Sequence, residues 1–148
     1  MIETRRFALN RIAAPALRLA EFFGLAAELG LSAVELRNDI RDGAVTNGLK
    51  ASEVVQLARE AGVRIITINA LQQFNLPSAR AKALDELDSL LALCKEIECP
   101  ALVLCPNNRA DDARSPRAEI SRHCRSAEHL CAPFQRGGRT RVCRAAWL

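Results

Sequence analysis

Aromatic side chains are scarce in this chain: they make up 4% of 148 residues, with one Trp and no Tyr. The arginine-rich C-terminal stretch holds only Phe134 and Trp147 rather than a regular interleaving of aromatics, and nucleic-acid binding is not expected of it. There is no run of eighteen apolar residues, so no membrane span is expected. The opening segment MIETRRFALNRIAAPAL has arginines but no continuous apolar stretch, and it contains Pro15. No signal peptide is read there, and a cytoplasmic protein is the default. No glycine-rich phosphate loop follows the first apolar run. FALNRIAAP is neither G-x-G-x-x-G nor a Walker loop, which weakens a nucleotide-binding reading.

What is present is enough for one ordinary domain with a core, at 49% hydrophobic content. Short apolar runs alternate with amphipathic stretches. Residues 6–10 (RFALN) read as a first strand. A helix follows from about Pro15, which is tolerated at a first helical position. Leu17, Ala20, Phe23 and Ala27 form its face, and Gly30 caps it. Residues 33–36 (AVEL) read as the second strand. Ser52 is a candidate N-cap for a helix with Val54, Val55, Ala58 and Ala61 on one face, ended by Gly62. Residues 64–69 (RIITIN) are β-branched and short, the clearest strand. Ser78 caps a third helix lined by Leu84, Leu87, Leu91 and Cys94, which Pro100 stops. Residues 101–105 (ALVLC) are the fourth strand.

Strand and helix thus alternate, with strands recurring roughly every thirty residues, which implies parallel strands joined by right-handed helical crossovers. An open doubly wound sheet and a (β/α)8 barrel both fit. In a barrel, sites lie at the C-terminal ends of the strands. Those positions here are Asn10, Glu35 with Arg37, Asn69, and Asn107 with Asn108. All are polar, which suits a hydroxyl-rich ligand, and they are the candidate substrate-binding residues. The plainer account is a solvated strand end for Glu35, paired with Arg37 or Arg64, and turn-forming asparagines. Cys94, Cys99 and Cys105 read as reduced core residues. His123, Cys124, His129 and Cys131 match no standard zinc spacing, so no metal site is assigned.

FALNRIAAP, LGLSAVELRND, AGVRIITINALQQFN and CPALVLCPNN, in this order, resemble the first half of the xylose isomerase-like TIM barrels. These form the sugar phosphate isomerase/epimerase superfamily, which includes inosose isomerases and dehydratases. The resemblance covers about residues 5–112. It implies a partial (β/α)8 barrel of about four βα units. The chemistry implied for full-length relatives is isomerisation, epimerisation or dehydration of a sugar or cyclitol with a divalent metal. In those relatives the metal ligands are carboxylates and a His on strands five to eight, beyond the fourth strand read here. No cofactor or catalytic residue is therefore assigned to this chain.

Charge breaks where the pattern breaks. Residues 1–116 hold 14 Lys/Arg against 15 Asp/Glu, whereas residues 117–148 hold seven Arg against two Glu. The tail also carries both His, the Trp, Cys124, Cys131 and Cys143. Its Arg, Ala, Cys, Pro, Gly and Ser bias is that of GC-rich DNA read out of frame. Permitted codons for residues 120–148, read one base later, allow an amphipathic helix, a glycine stop and a strand ending VEPLGF. Residues 1–114 are accordingly expected to form a half-barrel domain, and residues 115–148 an irregular basic tail encoded out of frame. The expected product is a truncated, inactive family member. The alternative is a non-catalytic half-barrel that assembles with a partner. Open first and fourth strands offer edges for self-association, and apolar side chains meant for a barrel interior should face water.

Overall fold

The computed structural model describes residues 4–40 and 45–107, except the side chain of Arg5. Asn108 and the expected basic tail lie outside the described residues. Strands β1 (Leu9–Asn10), β2 (Ala33–Arg37), β3 (Arg64–Gln72) and β4 (Leu102–Cys105) alternate with helices α1 (Leu19–Glu28), α2 (Ala51–Glu60) and α3 (Arg80–Glu96). The four strands form one parallel sheet in the order β1-β2-β3-β4. A parallel sheet in sequence order, each crossover carrying a helix, is the arrangement of one half of a (β/α)8 barrel. Among the described residues no helix is long and apolar enough to cross a membrane.

The core lies between the sheet and the helices. Val34, Leu36, Ile68 and Leu102 point to the helices and are essentially inaccessible, as are Leu19, Phe22, Phe23 and Ala26 of α1 and Val54 of α2. The helical faces differ in detail from the periodicity reading. In α1, Ala20 and Ala27 are exposed and Leu17 is only partly buried, so the buried stripe is rotated by about one residue. In α3, Ala83 and Leu90 join Leu87, Leu91 and Cys94 in the core, whereas Leu84 is exposed.

Helix starts also differ, for a consistent reason. α1 begins at Leu19 rather than Pro15, and the Arg18 N–H donates to Glu21 Oε2 at 2.8 Å. α2 begins one residue before Ser52, and the Lys50 N–H donates to Glu53 Oε2 at 2.7 Å. A glutamate at the third helical position reaches back to an orphan donor, and this outweighs a serine or proline cue nearby. Ser78 lies in a 3-10 turn, Pro77–Ala79, ahead of α3. The glycine stops hold: Gly30 and Gly62 have φ of +70° and +69°. The following N–H groups of Leu31 and Val63 bond back to Ala26 O and Ala58 O, both at 2.9 Å.

β3 is longer than the RIITIN reading and carries two irregularities. Val34 pairs with Ile65 and Glu35 with Thr67, so Ile66 is an extra residue. Asn69 pairs with Val103 and Leu71 with Leu104, so Ala70 is a second one. Bulges of this kind bend a strand and re-aim its side chains.

The sheet face away from the helices departs from expectation. The strand residues there include Asn10, Glu35, Arg37, Thr67, Asn69, Val103 and Cys105, all half-buried, rather than a large apolar surface. The exposed large hydrophobics among the described residues, Phe7, Ile12, Leu29 and Leu84, lie outside the strands. Cys94 and Cys99 are buried as expected, while Cys105 sits on this polar face rather than in the core.

Candidate functional site

Register brings the polar strand residues together, although only Asn10 stands at a strand end as expected, Glu35 being the middle residue of β2 and Asn69 lying inside β3. Asn10 of β1 is the pairing partner of Glu35 in β2, and Glu35 that of Thr67 in β3. In parallel strands paired residues point to the same face. Glu35 is therefore flanked on both sides by polar side chains.

Three donors converge on the Glu35 carboxylate. Asn10 Nδ2 and Asn69 Nδ2 both donate to Oε1, the latter at 3.3 Å. Thr67 Oγ1 donates to Oε2 at 2.6 Å. The two asparagines are anchored at their other ends. Asn10 Oδ1 accepts from the Ile12 N–H at 2.9 Å, capping the short turn Arg11–Ala13. Asn69 Oδ1 faces Cys105 Sγ at 4.0 Å, which links β4 to the cluster. Because each Asn amide nitrogen has two donors, both retain one N–H beyond the bond to Glu35.

Arg37 lies two residues further along β2, on the same face. It makes a two-pronged pair with Asp39, Nε to Oδ1 at 2.7 Å and Nη2 to Oδ2 at 2.6 Å. The hydrogen-bonded guanidinium holds the Asp39 carboxyl below its ordinary range, and Asp39 in turn raises Arg37. Burial pushes the Cys105 thiol up. Arg11, next to Asn10, is 2% exposed. It spans to Leu17 O at 3.2 Å, Val45 O at 3.4 Å and Asn47 Oδ1 at 2.5 Å, so it fastens the segment entering α2 to the end of β1. Its Nε has no partner among the described residues, and burial lowers its pKa.

Of the six residues expected at the site, Asn10, Glu35 and Asn69 form one cluster, Arg37 flanks it in its pair with Asp39, and Asn108 lies outside the described residues. Asn107 follows β4, and its backbone N–H donates to Asn75 Oδ1 at 2.8 Å rather than to a residue of this cluster. Thr67, Asp39, Arg11 and Cys105 were not expected there. For Thr67 a signal existed, since it precedes Asn69 by two residues, the strand period. For Arg11 there was none, because a long basic side chain beside a turn ordinarily lies in solvent.

Among the described residues no three His, Cys, Asp or Glu side chains converge as a metal site would require. The carboxylate at the centre already accepts bonds on both oxygens. The described residues thus do not by themselves fit a divalent metal, and no step is derived through one.

A family model described as xylose isomerase-like TIM barrel matches residues 23–136. The chain belongs to this family. A xylose isomerase domain-containing protein from Salmonella typhimurium LT2 is 34% identical, with a TM-score of 0.79 over 92% of this chain and 47% of that one. The IolI protein, whose structure has a bound zinc atom, is 13% identical, with a TM-score of 0.69 over 86% of this chain and 48% of that one. A probable 3-DHS dehydratase, AsbF from Bacillus anthracis, is 14% identical, with a TM-score of 0.68 over 87% of this chain and 48% of that one. The last two likenesses show the fold alone. This chain spans about half the length of each of these structures. No curated protein matches it.

Proposed function

We propose that this chain carries the hydroxyl-binding half of a sugar or cyclitol isomerase/epimerase-type site, and that on its own it is catalytically inactive. The observation that carries the reading is the convergence of Asn10, at the end of β1, and of Thr67 and Asn69, within β3, on Glu35 of β2. A hydroxyl both donates and accepts. Carboxamides with one N–H to spare, beside a carboxylate and a guanidinium, match several hydroxyls on one small ring. Family membership supports a site toward the C-terminal ends of the strands, where Asn10 and Arg37 are the last residues of β1 and β2. The dehydratase name of one structural neighbour fits hydroxyl chemistry, and the zinc of another fits a divalent metal in full-length relatives.

Inactivity is proposed because the described half brings no metal-ligand set together. The composition change near residue 115 supports a missing second half encoded out of frame, which sequencing the gene would check. An unbroken frame whose relatives share the tail would overturn that part.

The binding half is tested by NMR. Titrating the protein with myo-inositol should shift the side-chain amide signals of Asn10 and Asn69, and Asn10→Ala should weaken the response about tenfold, the worth of one directed hydrogen bond. Shifts confined to other residues would sink the reading. Metal-dependent turnover of a sugar by the purified chain would refute inactivity. A second reading, a half-barrel that assembles with another, is favoured by one feature: among the described residues β1 and β4 each have a single pairing neighbour. Light scattering that shows a monomer at all concentrations would dismiss it.

A further inference from the structure

Asn38 immediately follows β2 and is half-buried. Its backbone N–H donates to Asn69 O at 3.0 Å. Its side chain grips the next residue of β3 at two points: Oδ1 accepts from the Ala70 N–H at 2.7 Å, and Nδ2 donates to Ala70 O at 3.0 Å. Nδ2 also donates to Glu86 Oε1 on α3 at 3.1 Å. Both amide hydrogens are thus engaged, and the end of β2, the middle of β3 and a helix meet at one side chain.

The place it grips is specific. Ala70 is the residue over which the β3–β4 pairing steps, between Asn69↔Val103 and Leu71↔Leu104, and it is fully buried. A bulge residue is left out of the regular ladder, and a buried peptide group without a partner is costly. Asn38 supplies an acceptor and a donor there. The preceding residue is Asn69, whose bond to Glu35 is 3.3 Å long. That is already beyond the usual range for N–H···O, so a backbone shift of a few tenths of an ångström would lose it.

We propose that Asn38 is a positioning residue for the site: by clamping Ala70 it sets where the Asn69 carboxamide stands against Glu35. The proposal rests on the reading of Asn69 as a ligand-facing group. Asn38 itself makes no contact with ligand in this scheme. It acts through the β3 backbone, and Glu86 steadies it from the helix side.

The test is NMR of the Asn69 side-chain amide, with Asn10 as the reference within the same cluster. In Asn38→Ala the Asn69 amide protons should move toward solvent values and exchange with water about tenfold faster, the effect of one lost hydrogen bond. The Asn10 amide, tied to Glu35 and to the turn after β1, should change less than twofold. Glu86→Gln keeps both bonds to Ala70 and should leave Asn69 as in the parent. If Asn38→Ala does not fold, Asn38→Asp decides the matter in the same way, since it keeps the acceptor and removes both donors. An Asn69 amide unchanged in the Asn38 variant overturns the proposal, and so does equal loosening of Asn10 and Asn69, which would be general destabilisation. A Glu86→Gln effect as large as that of Asn38→Ala overturns it as well, by assigning the effect to helix packing. The functional reading fails separately: if myo-inositol shifts neither asparagine in the parent while Asn38→Ala still releases Asn69, the positioning role stands and the polyol site does not.

Discussion

On the helix-covered side of the sheet, Val34, Leu36 and Ile68 are 0% exposed, whereas one residue along the same strands Glu35, Thr67 and Asn69 remain half-open to solvent. The first face is specified by transfer of apolar surface out of water, which is non-directional and tolerates swaps of similar volume. The second is specified by directed bonds to one carboxylate, where each group has few acceptable partners. The polar side therefore contributes less to stability than the apolar side and more to the placement of individual atoms. That division suits the proposed function, in which the helices hold the sheet and the polar strand residues meet a ligand.

Adjacent residues of β2 offer the sharpest way to break this comparison. Leu36→Ala should cost about 2–5 kcal/mol, through lost burial and the cavity left behind. Glu35→Ala should cost less, about 1–3 kcal/mol, because it strands up to three donors that water partly reaches. Urea denaturation followed by circular dichroism measures both. If the Glu35 variant proved the more destabilising, the polar cluster would be a structural core and the division between the faces would be wrong.

Gly62 tests a feature common to both faces. It sits at the turn into β3 with φ +69°, and a Cβ placed there would meet nothing within 4 Å. Gly62→Ala should therefore cost only the left-handed backbone penalty, about 1–2 kcal/mol. The myo-inositol response of Asn69 should be unchanged, since the turn lies at the far end of β3 from the site. A loss of stability well above that range would mean the turn also sets the register of β3.

How far these two faces could be read from the sequence differs for a physical reason. β-branching in Ile65, Ile66, Thr67 and Ile68 makes β3 plain, and glycines 30 and 62 end their helices as read. Asn10, Glu35 and Asn69 are legible as polar groups of the strands, though only Asn10 proves to be at a strand end. What escapes is phase. The buried residues of β3 are Ile65, Ile68, Ala70 and Leu71, a pattern that no period of two generates, because Ile66 and Ala70 are extra residues. Bulges are set by pairing with neighbouring strands rather than by local propensity, so the sequence of β3 alone does not reveal them. Asn38 is invisible for the same reason: its role exists only because Ala70 is left out of the β3–β4 register. Helix starts escaped because Glu21 and Glu53 act three residues away from the caps they complete.

The smallest expected effect lies at the outer edge of the polar face, in the Arg37–Asp39 pair. Asp39 is held below its ordinary value by Arg37. A carboxylate lowered in the folded state adds stability that is fully present above its unfolded value, 3.8, and is lost as pH falls through the lower folded value. The Asp39 side chain is 36% exposed, so solvent screening limits the pair to about 0.2–1 kcal/mol. Asp39→Asn should therefore lower stability by that amount at pH 7 and by progressively less below pH 3.8, and the difference should shrink in high salt. Arg37 is the better-buried partner at 16%, and without Asp39 its guanidinium could turn toward the Glu35 carboxylate two residues back. Binding of myo-inositol should then weaken while folding stability barely changes, which separates what this face does for the ligand from what it does for the fold. A variant that bound as the parent did, at both low and high salt, would place Arg37 outside the site.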